Sequence, residues 1–224
     1  MPLQLHHIFV CCDSKAPEAE ALLSLGLKEG SGNVHLGQGT ANRRFFFHGG
    51  FLELLWVADP NETQSKLTAP TRLWERWSQR RSGACPFGIA FSPTGVDTPE
   101  SPFESWAYSP KYLPPDKRIL FATGTDLQEP ELFYLAWPNS AGPSMLQPRD
   151  HLSPFVRLTS ASVGLPNVAS LSKASRVVQS AGLLSFYESE QYELTLEFQS
   201  EEALHVNLGP TLPVILRSAG ESAA

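Results

Sequence analysis

Residues 43–57 read RRFFFHGGFLELLWV, two β-rich apolar runs separated by Gly49-Gly50. A glycine pair between such runs predicts a tight hairpin, because both turn positions call for positive φ. The second run, FLELLWV at 51–57, is apolar at positions that would face both sides of a sheet, so it reads as a strand buried on both faces. Glu53 is then the most informative residue of the chain. A lone carboxylate in such a strand costs several kcal/mol unless it finds a cation, a metal or hydrogen-bond donors. It either pairs with an arginine such as Arg43 or Arg44, sits in water at a pocket mouth, or belongs to a site.

Upstream, LQLHHIFVCC at 3–12 alternates as a strand with Leu5, His7 and Phe9 on one face and His6, Ile8 and Val10 on the other. Asp13 or Ser14 offers a helix N-cap, Pro17 suits a first turn, Ala19, Leu22 and Leu23 form an apolar stripe, and Gly26 is a stop. The glycine-rich EGSGNVHLGQGTANR at 29–43 then holds a short strand near Val34–Leu36. The opening 57 residues therefore read βαβββ. In a mixed sheet of order 1-4-3-2 the first and fourth strands are neighbours, which brings His7 and Glu53 to one face, close enough to share a divalent metal or a substrate proton. The alternative is a hydrogen-bonded core histidine. His35, Gln38, Thr40 and Asn42 crowd donors onto a glycine-rich backbone that either contacts a ligand or simply connects two strands.

Downstream, residues 70–82 place Leu73, Trp74 and Trp77 at helical spacing before Gly83, a connecting helix on which Arg76, Arg80 and Arg81 read as a solvated face. The segment from Cys85 to about 138 predicts three or four strands between proline-rich loops; its Phe103, Trp106, Tyr108 and Tyr112 line a ligand pocket, Trp106 foremost, or pack a long loop. After the turn-rich stretch 137–151 comes a strand at 154–164, a helix capped by Asn167 and ending near Gly182, three strands in LLSFYE, YELTLEFQ and LHVNLG, and a last strand in LPVILRS. A strand–helix–three-strand pattern thus stands at each end, an expected internal repeat. The predicted organisation is a first βαβββ module over 1–60, a connecting helix and strand-rich middle over 61–150, a C-terminal βαβββ-like module over 151–218 and a disordered tail over 219–224.

The bulk properties narrow the function. With 224 residues, 42% hydrophobic and 18% charged, the chain can bury a substantial core, and a net charge of -6 argues against a nucleic-acid partner, which rewards clustered basic residues. No export leader and no apolar run of about 20 residues is visible, so a soluble cytoplasmic protein without a membrane partner is expected. Cys11, Cys12 and Cys85 make neither a disulfide framework nor a metal knuckle and read as reduced core residues. No G-x-S-x-G, H-E-x-x-H, P-loop or C-x-x-C motif occurs, and no nucleotide cofactor is expected. His151, His205 and Glu197 are scattered, and Glu193 and Glu197 read as the exposed face of a strand.

Taken together, LHHIFV, the helix ending at LGL, HLGQGTANRRFFF and FLELLWV resemble the first module of the glyoxalase-like branch of the vicinal oxygen chelate superfamily, over roughly residues 3–60; SPFESW and LPVILR resemble later segments more loosely. The resemblance implies an α+β fold of repeated βαβββ modules that form an incomplete mixed β-barrel around a cavity, and, by family habit, a homodimer. It implies a small-molecule ligand or substrate and a divalent metal held by His7 and Glu53, with Glu53 and His7 catalytic, in lyase, isomerase or dioxygenase-type chemistry. The second pair of ligands is absent: CPFGIAF carries Gly88 where an active member commonly shows His, and PFVRLTSASV offers none. That departure leaves a second reading open, a metal-free protein that binds or sequesters a small molecule.

Overall fold

The structure, a computed structural model, describes residues 3–95, 98, 100–137 and 147–220. The first module contains β1 (Leu3–Cys11), α1 (Ala19–Ser24), β2 (Val34–His35), β3 (Thr40–Phe47) and β4 (Gly50–Val57). Short helices α2 (Pro60–Thr63) and α3 (Leu73–Ser78) lead to β5 (Phe87–Pro93), β6 (Ser105–Tyr108), β7 (Ile119–Ala122) and β8 (Glu131–Leu135). The C-terminal part is β9 (Arg157–Leu165), α4 (Lys173–Ser180), β10 (Ser185–Glu188), β11 (Glu193–Gln199), β12 (Ala203–Asn207) and β13 (Val214–Ala219). The predicted turn-rich stretch falls partly, at 138–146, and the tail largely, at 221–224, outside the described residues.

Eight strands form one curled sheet of order β2-β3-β4-β1-β5-β8-β7-β6. Its first half has the anticipated order 1-4-3-2, with β1 parallel to β4, and its second half repeats that order as 5-8-7-6, with β5 parallel to β8. The two halves join where β1 runs antiparallel to β5. This is the expected mixed half-barrel, but the repeat lies elsewhere than anticipated. The counterpart of the first module is the middle region 87–135, and the C-terminal strands form a separate sheet of order β10-β9-β11-β13-β12, in which the pair spanning the helix, β9 and β10, are direct parallel neighbours. A strand–helix–strands pattern names the elements and leaves their lateral order open, so two different topologies share it.

That arrangement supplies what the middle module lacks. Among the described residues no helix lies between β5 and β6 to cover the convex side. Instead Phe87, Ile89, Phe91, Leu132 and Tyr134 share one apolar core with Val163, Leu194, Leu196, Val214 and Leu216 of the second sheet and Ala174 and Val178 of α4, while α1 covers the first half through Ala19 and Leu22. Burial on both sides explains why β5 is buried at every position. The concave side carries a second cluster built on Phe9, Leu55, Tyr108, Phe121 and Phe133.

Local details differ from expectation for identifiable reasons. The hairpin turn is His48-Gly49, with Gly49 at φ 95°, and Phe47 pairs with Gly50; His48 exchanges backbone hydrogen bonds with Val156 and Leu158, tying the turn to the C-terminal part. Neither Asp13 nor Ser14 caps α1: the chain turns back through left-handed Lys15 and Ala16, and Glu18 Oε1 accepts from the Asp13 backbone N–H at 2.8 Å. Ser172, not Asn167, caps α4. Arg76 is not solvated but fully buried, donating to the carbonyls of Cys85 and Glu129 at 2.6 and 2.8 Å and pairing with Glu131 at 3.2 Å; a guanidinium has enough donors to close several loop carbonyls at once. Cys11, Cys12 and Cys85 are free and buried, and burial pushes Cys11 and Cys85 up to about 12, so these thiols are unreactive core groups. No described helix is long and apolar enough to cross a membrane.

Candidate functional site

The concave face of the large sheet holds a cavity of about 230 Å³ whose two walls differ in chemistry. From β1, β2, β3 and β4 come His6, His7, His35, Asn42, Arg44 and Glu53; from β7 and β8 come Ile119, Phe121, Phe133 and Leu135. Phe9, between them, extends the apolar side.

Glu53 sits at the floor, 6% exposed. Its Oε1 accepts from Asn42 Nδ2 at 2.6 Å, and its Oε2 lies 3.5 Å from His7 Nε2. The arginine partners considered from sequence are otherwise engaged. Arg43 points away to Glu29 and Glu20; Arg44 donates to Ser31 and lies over the Phe46 and Phe51 rings, leaving only its longer-range positive field to act on Glu53. Asn42 is itself oriented by Oδ1, which accepts from the Asn33 backbone N–H at 2.7 Å.

His7 is stacked on Phe51 with ring centroids 4.6 Å apart and meets Phe133 edge-on. Its neighbour His6 was expected on the opposite face. A bulge between Leu5 and His7, where β1 pairs with β5, breaks the alternation and lets both imidazoles line the cavity, their Nδ1 atoms 2.7 Å apart. If His6 donates this hydrogen bond, His7 carries its proton on Nε2, facing Glu53. Burial holds His7 well below the usual imidazole range and takes His6 down to about 4, with the His6 charge acting against His7 in the same direction. Both rings are neutral at pH 7.

The glycine-rich loop contributes an ordered chain of donors. Gln38 Nε2 donates to Thr40 Oγ1 at 2.7 Å, Thr40 Oγ1 meets His35 Nδ1 at 2.9 Å, and the Tyr112 hydroxyl donates to Gln38 Oε1 at 3.3 Å, its ring 4.7 Å from that of His35. Burial lowers His35 as well. His35, Gln38 and Asn42 line the cavity, whereas Thr40 is buried outside its lining and bonds His35 and Gln38. Trp106 does not line it; it stacks on Phe121 from behind at 5.3 Å. Sequence reading had not picked out His6, Phe51, Phe121 and Phe133 for the site. Tyr112 was visible as part of the aromatic set, and no local signal announces the bulge that recruits His6.

The donor set does not fit a divalent metal. Such an ion takes about three protein ligands or more, and His7 and Glu53 are two. Among the described residues no group of three or more His, Cys, Asp or Glu side chains is placed to hold one. Gly88 brings no ligand, and the Phe9 ring lies over it so closely that an added Cβ would overlap it. His151 and His205 are remote from the cavity; His151 bridges the Lys28 backbone N–H and the Phe46 carbonyl, and His205 is exposed on β12. Glu197 pairs with Arg217 on the second sheet.

The family model described as a glyoxalase-like domain matches residues 5–176. A hypothetical protein from Staphylococcus aureus superposes with a TM-score of 0.61 over 98% of this chain and 100% of its own, at 11% sequence identity, a likeness of fold. A mutant of 4-hydroxymandelate synthase from Streptomyces coelicolor gives a TM-score of 0.37 at 13% identity, over 97% of this chain and 63% of that one. Comparison with curated proteins gives no match.

Proposed function

The protein belongs to the glyoxalase-like domain family, and from that premise we propose that its cavity binds one small organic molecule of mixed polarity and exchanges a proton with it through Glu53 and His7, without a divalent metal. The division of the cavity into a polar wall and an aromatic wall carries this reading. A ring or short apolar chain packs against Phe9, Phe121 and Phe133, and its polar end meets Glu53, His7 and the Asn42–His35 side. Glu53 is held by Asn42 through one oxygen, which leaves the other, 3.5 Å from His7 Nε2, open to a ligand hydrogen. A carboxylate so oriented serves as a general base that takes the ligand proton and returns it, while neutral His7 donates a hydrogen bond from Nε2 and keeps its own proton. Arg44, at the rim, favours an anion developing beside Glu53.

The 3.5 Å gap also supports a second reading, binding without turnover, since the two groups are not yet in direct hydrogen-bonding distance. One experiment addresses both. Metal content is measured on protein purified without chelator or affinity-tag metal, for wild type and the His7→Ala, Glu53→Gln double variant, and vicinal dicarbonyl and catechol-like probes are then titrated against tryptophan fluorescence. The expected result is no stoichiometric metal, and binding weakened about tenfold or more in Glu53→Gln, as removal of a charged hydrogen-bond partner implies. Stoichiometric metal in wild type that the double variant loses would overturn the metal-free reading. Recovery of every bound probe unchanged would favour binding alone over acid–base chemistry.

A further inference from the structure

A second cavity of about 480 Å³ lies at the C-terminal end of β1, between the large sheet and the loops of the small one. Its charged lining is Glu18, Arg80, Arg81 and the exposed Glu190, and Pro166, Tyr192 and Leu212 are among its apolar residues. Glu18 is only 7% exposed, and while Oε1 is fixed by the Asp13 N–H, its buried Oε2 has no hydrogen-bond partner among the described residues. An unpartnered buried carboxylate oxygen is costly, and none of the described residues donates to it, so the missing donor is one a ligand would bring. The same cleft has a positive side. Arg80 and Arg81 both bind Asp13, so two guanidinium groups share one carboxylate, and Arg81 remains largely exposed. Rigid apolar surfaces complete the walls: Pro166, Leu212 and the Tyr192 ring, whose hydroxyl is anchored on the Gly83 carbonyl at 3.1 Å.

We propose that this cleft is a binding site for a free α-amino acid with an apolar side chain, its ammonium on Glu18 Oε2, its carboxylate on the Arg80–Arg81 side and its side chain against Pro166, Tyr192 and Leu212. A simple anion meets the carboxylates of Glu18 and Glu190, and a simple cation leaves the guanidinium pair, which shares the Asp13 carboxylate, without a ligand partner; a zwitterion answers both. The site spans the large sheet and the C-terminal sheet, so occupancy clamps the two together and raises the stability of the whole chain.

Isothermal titration with L-phenylalanine and L-leucine tests the assignment, with N-acetyl-L-phenylalanine and phenethylamine as probes lacking one charged end. The expected result is binding of at least one amino acid to wild type, weakened about tenfold or more by Glu18→Gln and by loss of either charged end, and retained in Glu53→Gln. No binding of either amino acid, or binding indifferent to Glu18→Gln, overturns it. So does phenethylamine binding as tightly as phenylalanine. Should Glu18→Gln fail to fold, Thr211→Trp, at an exposed position of the lining, plugs the cleft instead, and amino-acid binding that persists through it overturns the proposal.

Discussion

Gly88 and Phe9 show how one missing side chain decides what a face of the sheet can do. The Phe9 ring occupies the volume where any Cβ at position 88 would stand, so the aromatic wall of the first cavity is built on a glycine. Gly88→Ala is expected to destabilise the protein by about 1–3 kcal/mol through overpacking, and Phe9→Ala in the same chain to recover part of that loss. Urea unfolding of the single and double variants measures the coupling, and additive effects would contradict the contact. His6 offers a second test. Its folded form is lowered to about 4 from an ordinary 6.5, so between those values the unfolded chain takes up a proton that the folded chain refuses. Stability therefore falls as pH drops from about 6.5 towards 4, by on the order of 1–2 kcal/mol from this residue at pH 5. His7 and His35, lowered in the same direction, add to the loss. Denaturant midpoints at pH 7.5 and pH 5 should show a smaller difference in His6→Asn than in wild type.

At the scale of elements, buried charges join segments that the strands alone do not. Arg76, from α3, gathers the carbonyls of Cys85 and Glu129 and the carboxylate of Glu131 at the start of β8, and so seats α3 on the middle module. Burial raises Glu131, and the Arg76 guanidinium opposes that rise. Arg76→Met leaves Glu131 buried and unpaired and is expected to cost about 3–5 kcal/mol. The double variant Arg76→Met, Glu131→Leu should be less damaging, because the orphaned carboxylate is gone, and thermal unfolding of the pair decides it. Glu129 plays the matching part for the C-terminal unit. Its carboxylate accepts from the backbone N–H and hydroxyl of Ser172, 2.9 Å each at the shortest, at the N-terminus of α4. Glu129→Ala removes that anchor and should cost about 1–3 kcal/mol, seen as faster amide hydrogen exchange in α4 before any change in β1 or β5.

For the whole molecule, the convex face of the large sheet is apolar across β4, β1, β5 and β8, and the C-terminal sheet with α4 covers its second half. Cutting the chain at residue 150 exposes that face, and the expected outcome is an aggregating or dye-binding product in place of a folded first cavity. A monomeric, well-dispersed spectrum from residues 1–150 would show that the eight-stranded sheet stands alone. The same scale separates the legible from the hidden. Hydrophobic alternation, the glycine turn and the both-faces-apolar FLELLWV run determine the elements of the first module and single out Glu53, because strand period and burial are local properties read along the chain; that His7 meets Glu53 follows only once the order 1-4-3-2 is assumed. Tertiary structure alone decided which later segment repeats that module, since lateral strand order depends on contacts between residues far apart in sequence. It also decided the burial of Arg76, the entry of His6 into the first cavity through a bulge, and the meeting of Glu18 with the C-terminal loops. Each of those depends on a partner that arrives from a distant part of the chain, and no residue pattern along β1 or α3 encodes that arrival.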